Sequence, residues 1–134
     1  MLYSPIYMTA SIEIASTVKN YPKLPYEAIK NEILGKGYIV SLAFVGEKKA
    51  QALNIAHRNK MYVPNVLAFP LEEKAGEIFI TPKIAIKEAP KFSMSPNGYI
   101  GYLFVHALLH LKGLDHGDTM EKAEKKYCVK FNLE

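Results

Sequence analysis

Tryptophan is absent from this chain and cysteine occurs once, as Cys128. One thiol closes no internal disulfide, and without a CxxC pair there is neither a thiol redox motif nor a cysteine-type metal site. A reducing cytosol is the expected compartment, with Cys128 a small core-facing residue near the C-terminus. No apolar run reaches the ~18 residues of a membrane span. Residues 1–10 (MLYSPIYMTA) show neither the basic start nor the apolar core of a signal peptide, so a soluble, unexported, cytoplasmic protein with no membrane partner is expected. Low-complexity tracts are missing too: eight Gly and eight Pro are scattered along the chain, and a charged fraction of 22% is too ordinary for a disordered polymer.

What is there suits one folded unit. At 134 residues with 49% hydrophobic content, residues 1–134 read as a single domain with a modest apolar core. Seventeen Lys and Arg against thirteen Asp and Glu leave a formal charge of +4, which favours approach to an anionic polymer by long-range attraction.

Apolar periodicity and turn residues predict the elements. A helix is expected over residues 26–34 (YEAIKNEIL), between Pro25 and Gly35, and a largely buried strand over residues 38–45 (YIVSLAFV), between Gly37 and Gly46. Residues 47–58 read as a second helix. Residues 65–69 (NVLAF) and 77–81 (EIFIT) are two short strands, with the charged segment PLEEKAG as an exposed connection. Pro82 and Pro90 punctuate the next segment, and residues 91–98 are a loop in which Ser95-Pro-Asn provides a helix entry. Residues 99–112 (YIGYLFVHALLHLK) are apolar nearly all round and belong in a buried helix stopped by Gly113, and residues 121–131 form a last amphipathic helix. The pattern of residues 2–18 assigns no element.

Three of the four histidines fall in one short stretch, His106-Ala-Leu-Leu-His110-Leu-Lys-Gly-Leu-Asp-His116. Helix positions four apart stand ~6 Å above one another on the same face, so His106 and His110 can converge on one ion. Gly113 can adopt the left-handed conformation that ends the helix and reverses the chain, which brings His116 round as a third donor. Three imidazoles with a fourth position left to water is the arrangement of a catalytic zinc site, and imidazole suits zinc better than the hard cations magnesium or calcium. Core histidines bonded to backbone groups are the bland reading of a bare HxxxH; the third histidine just past the glycine favours the metal. Asp115 is placed either to support a ligand or to make the turn and cap the next helix. A zinc peptidase carries its general base as glutamate directly after the first histidine, in HExxH; this chain has Ala107 there.

The stretch HALLHLKGLDH resembles the signature of the YbeY family, H-G-x-L-H-L-x-G-Y-D-H, from which it departs at Ala107 and Leu114. Leu53-Asn54 followed by His57-Arg58 resembles the family's L-N-x-x-[YH]-R. Val66 to Pro70 resembles the end of D-V-L-S-F-P, Gly76 to Ile80 resembles G-D-I-x-I, and Glu121 with Glu124 matches an acidic pair after the histidines. The likeness covers residues 26–131. It implies an α+β fold, in which a small mixed sheet is flanked by helices and a zincin-like helix bears the histidines. It further implies one zinc ion on His106, His110 and His116, and endoribonuclease activity on single-stranded RNA in ribosomal RNA maturation, with ribosomal proteins or assembly factors as partners. Arg58 matches the family's arginine, whose donor fork suits phosphate. Its bland reading is a solvated residue at a helix end. Pro64-Asn65 stands where most members have Thr-Asp, Ala68 replaces Ser, and Glu77 replaces the strand aspartate. Glu77 is a candidate to orient water or else a surface residue, and His57 is expected to be a partly buried helix residue rather than a substrate contact. Two other readings stand beside the nuclease. One is an RNA-binding ribosome-assembly factor whose zinc is structural; the other is a zinc hydrolase of peptides or small molecules.

Overall fold

A computed structural model describes residues 11–134. The helix expected at 26–34 forms with those bounds (α1, Tyr26–Leu34), and Gly35 closes it with φ +89°, a conformation glycine takes without steric cost. Lys30 on this helix is fully buried. Its ammonium donates to the carbonyls of Gly35 and Tyr38 at 2.9 and 2.6 Å, bonds that offset the desolvation of the charge and tie the helix end to the chain entering the sheet.

That chain is β2 (Ile39–Phe44), in which Val40, Leu42 and Phe44 are buried on one face. Helix α2 (Glu47–Arg58) follows, with the predicted bounds, and ends on Asn59 in the left-handed region. The next two strands are longer than their apolar cores suggest. β3 (Val66–Glu72) and β4 (Ala75–Ile80) form an antiparallel hairpin, so most of PLEEKAG is strand and only Glu73-Lys74 is left to turn. Pro70 is tolerated because β3 is an edge strand, and the register breaks just after it. The first described strand, β1 (Ile12–Ser16), pairs parallel with β2 at the other edge. The sheet order is β1-β2-β4-β3, with β1, β2 and β4 parallel and β3 antiparallel.

After β4, Pro82 opens α3 (Pro82–Glu88), where a proline's missing N–H costs nothing. A 3-10 turn over Ala89–Phe92 continues it. The central helix, α4 (Pro96–Lys112), starts three residues before its apolar run because Ser95 caps it, the hydroxyl accepting from the Gly98 amide at 3.0 Å. Its apolar surface is explained by its neighbours: α4 packs on β3, β4, α1, α3 and α5 (Asp118–Lys130). Ile100, Leu103, Phe104, Val105, Leu108 and Leu109 are buried there, each contributing roughly 1.5–3 kcal/mol of hydrophobic stabilisation. Cys128, on α5, is half-buried against this core. The described residues thus form one α+β unit, a mixed four-stranded sheet flanked by helices, and none of their helices is long and apolar enough to cross a membrane.

Candidate metal centre

His106 and His110 lie one turn apart in the last half of α4. Gly113, at φ +107°, then turns the chain so that the exposed His116 returns to them. One nitrogen from each ring falls within 4.8 Å of the other two, and the ring centroids are 4.6 to 5.2 Å apart. The spacing read from the sequence therefore becomes a real convergence.

The outer nitrogens decide what faces inward. His110 Nδ1 is 3.1 Å from the Leu114 carbonyl, which only accepts, so this nitrogen carries the proton and donates. His106 Nδ1 meets the Glu124 carboxylate in the same sense. In neutral rings both Nε2 atoms are then left with lone pairs, and they point at each other across 3.1 Å. Two acceptors at that distance repel unless a cation lies between them, so the donor set suits a metal ion; a tetrahedral ion with bonds of about 2.0 Å spaces two nitrogens by about 3.3 Å. Burial pushes the His110 pKa down, and the neighbouring His106 and His116 push the same way, which favours the neutral form that binds metal.

Glu124 is the residue that sequence reasoning left without a role. It is 6% exposed on α5, accepts from His106 Nδ1 and sits 3.4 Å from the Tyr102 hydroxyl. A signal was available: Met120, Glu124 and Tyr127 are the buried positions of α5, and a carboxylate on a core-facing stripe needs a partner. Asp115, the carboxylate nearer in sequence, is exposed in the turn, and α5 begins at Asp118 after Gly117, with no side-chain cap. Glu124 holds the tautomer and orientation of His106, so Glu124→Ala is expected to lower metal affinity by roughly 10- to 100-fold. Glu124→Gln, which keeps an acceptor oxygen, should lose less. Competition with a chromogenic chelator measures both, and wild-type affinity in the alanine variant would remove Glu124 from this role.

The histidines open onto a cleft of about 430 Å³ that also takes in Arg58, Tyr62, the start of β3 from Asn65, and Ala107. Arg58 comes from the last turn of α2. Its guanidinium donates to Asn54 Oδ1 at 2.9 Å and to the Tyr62 hydroxyl at 2.8 Å, and the latter bond holds the Tyr62 pKa below its usual value. Asn54 is fully buried and donates to the Tyr62 carbonyl at 3.0 Å, which anchors the arrangement. The cleft thus brings Arg58 and the three histidines together.

Two other candidates lie elsewhere. Register pairs Glu77 with Ser41 and Phe69, whereas Val66 and Ala68 of the cleft wall pair with Ile80 and Ile78; Glu77 therefore occupies the sheet face turned away from the histidines. His57 is exposed, not partly buried as expected, and its ring lies on Phe69, 4.7 Å between centroids, on that same far side.

Comparison with known proteins agrees with this geometry. The sequence model of the family Endoribonuclease YbeY matches residues 8–131. Proteins named Endoribonuclease YbeY from Mesomycoplasma hyopneumoniae (strain 7448) and Mycoplasma mycoides are 39% and 35% identical to it. The first match covers 72% of this chain and 69% of the relative, the second 69% and 71%. Among solved structures, the solution structure of TM1509 from Thermotoga maritima superposes with a TM-score of 0.65 at 27% identity, covering 90% of this chain and 88% of that one. The family match runs from before β1 to the end of α5 and takes in the histidine helix and the hairpin beside it, so the chain belongs to the YbeY family of endoribonucleases.

Proposed function

We propose that residues 1–134 form a zinc-dependent endoribonuclease domain that cuts single-stranded RNA during ribosomal RNA maturation and ribosome quality control in the cytoplasm, with ribosomal proteins or assembly factors as its neighbours. The observation that carries this reading is the placement of Arg58 in the same cleft as three convergent imidazoles. Zinc fits the donor set best, because three nitrogen ligands suit a borderline metal and the hard cations take oxygen. The cluster offers three donors among the described residues, which leaves a coordination position for substrate or water and argues against a purely structural zinc in an RNA-binding factor. Ala107, in the cleft wall where a zinc peptidase places its glutamate, argues against peptide hydrolysis.

Held by His106, His110 and His116, a zinc ion would supply positive charge for a phosphate oxygen and Lewis acidity toward water. The protein's own groups do the rest. Arg58 offers further N–H donors to the non-bridging phosphate oxygens, and its hydrogen bonds to Asn54 and Tyr62 hold the guanidinium in place before substrate arrives. Glu124 and the Leu114 carbonyl keep the imidazoles aimed inward through the reaction cycle. The net charge of +4 draws in the polyanion.

The test is cleavage of a short single-stranded RNA by metal-loaded protein, with and without chelator, beside a 2′-deoxy strand of the same sequence. Cleavage of RNA that stops with chelator and returns with zinc is the expected result. Persistence on the deoxy strand identifies water as the nucleophile, and loss with binding retained identifies the 2′-hydroxyl. Failure of metal-loaded protein to bind or cut either strand at any salt concentration overturns the reading.

A further inference from the structure

Beside the metal cleft, and sharing Asn65, Val66 and His106 with it, is a second space of about 170 Å³ walled by aromatic rings. Four rings follow one another away from the histidine cluster, three on α4 and the last, Phe92, on the turn before it. His106 is 6.2 Å from Tyr102, Tyr102 lies 5.8 Å from Tyr99 at 17°, and Tyr99 lies 5.1 Å from Phe92 at 13°. Tyr99 is buried and its hydroxyl donates to Glu88, so it is a fixed member of this stack. Phe92 is different: it is 57% exposed, although a phenyl ring gains by burial. It sits on the 3-10 turn just ahead of a helix cap, at the mouth of the slot.

We infer that this slot is a nucleobase subsite, in which a base of the nucleotide next to the scissile phosphate stacks on the exposed ring of Phe92. The inference rests on the endoribonuclease reading for the identity of the polymer. The slot adds what the phosphate cleft lacks. Arg58 and a metal ion grip phosphate, which duplex and single strand share, whereas a stacking slot takes only a base that is free of its partner. Continuity through Asn65, Val66 and His106 puts the two spaces within reach of one nucleotide. Asn65 stands at the shared wall. Its amide nitrogen donates to Glu88 at 2.9 Å, which settles the amide's orientation and leaves the Asn65 carbonyl oxygen as an acceptor for a base edge.

Phe92→Ala tests this, with Phe92→Trp and Phe92→Leu beside it. Binding is measured by anisotropy of a labelled single-stranded RNA in the presence of chelator, and steady-state cleavage with zinc restored. Phe92→Ala is expected to weaken RNA binding and raise KM by roughly tenfold, a loss in the range for one stacked base, with kcat at saturating RNA and zinc content unchanged. Phe92→Trp should restore binding; Phe92→Leu, which keeps apolar packing on Tyr99 without a π face, should not. Thermal melts of the three variants identify any that is simply unfolded, and the leucine and tryptophan proteins decide the matter if alanine fails. Wild-type affinity in the alanine or leucine protein overturns the subsite while leaving the nuclease intact. Absence of RNA binding and cleavage in the wild type overturns the nuclease reading and the subsite with it.

Discussion

Replacing His110 by alanine is expected to release the metal and abolish RNA cleavage while the helix that carried the ligand stays folded. His110 supplies one of three donors and shares its Nε2 face with His106 at 3.1 Å, so its removal leaves two imidazoles, one of them on the exposed turn after Gly113. Loss of a ligand should exceed the roughly 10- to 100-fold loss in affinity that follows removal of a ligand's supporting partner. Alanine is the best helix former and position 110 is near the end of α4, so the helix itself has little reason to unravel. Metal content after gel filtration, far-UV circular dichroism and cleavage rate are the three measurements. Wild-type metal stoichiometry in the His110→Ala protein would sink the assignment of the centre.

Arg58→Ala is expected to separate metal binding from chemistry. The residue is exposed and makes its hydrogen bonds to Asn54 and Tyr62, not to the histidines, so metal affinity should be unchanged. If the guanidinium stabilises charge that builds on the phosphate in the transition state, kcat should fall by roughly 10²- to 10³-fold, as when one preorganised donor is removed. A rise in KM alone would instead assign Arg58 to uniform substrate binding. Arg58→Lys should recover only part of the rate, because an ammonium lacks the planar donor fork that offers two parallel bonds to a phosphate. Full activity with alanine would remove Arg58 from the mechanism.

The two experiments address groups that were legible to different degrees. The histidine cluster could be read directly, because a helical repeat and a helix-ending glycine are local properties and the three residues lie within one such unit. Arg58 could be proposed only through the family resemblance. Nothing within α2 says that its last turn borders the histidine cleft, and the hydrogen bonds from Asn54 and Arg58 to Tyr62 that hold it arise from the loop after the helix. Glu124 had a stripe position but no visible partner, since His106 lies 18 residues away on another helix.

The same division holds for the fold. Residues 26–34, 47–58 and the body of α4 declared themselves through apolar spacing and punctuating Gly, Pro and Ser, which act over a turn or two of chain. The hairpin runs beyond its apolar cores although Pro70 and two glutamates have loop composition, because an edge strand tolerates a proline and exposes charged side chains to water. β1 escaped because a short edge strand takes its stability from β2, with which it pairs, rather than from its own sequence. Helices α1, α2 and α4 and the clustering of His106, His110 and His116 were thus legible in the sequence alone, since each depends on a short local stretch of chain. The tertiary structure decided that Glu124 and not Asp115 lies against His106, that Arg58 shares a cleft with the histidines, and that Glu77 does not. Strand pairing sets which face Glu77 occupies, and a slip of one residue in register would have turned it toward the face of the histidines.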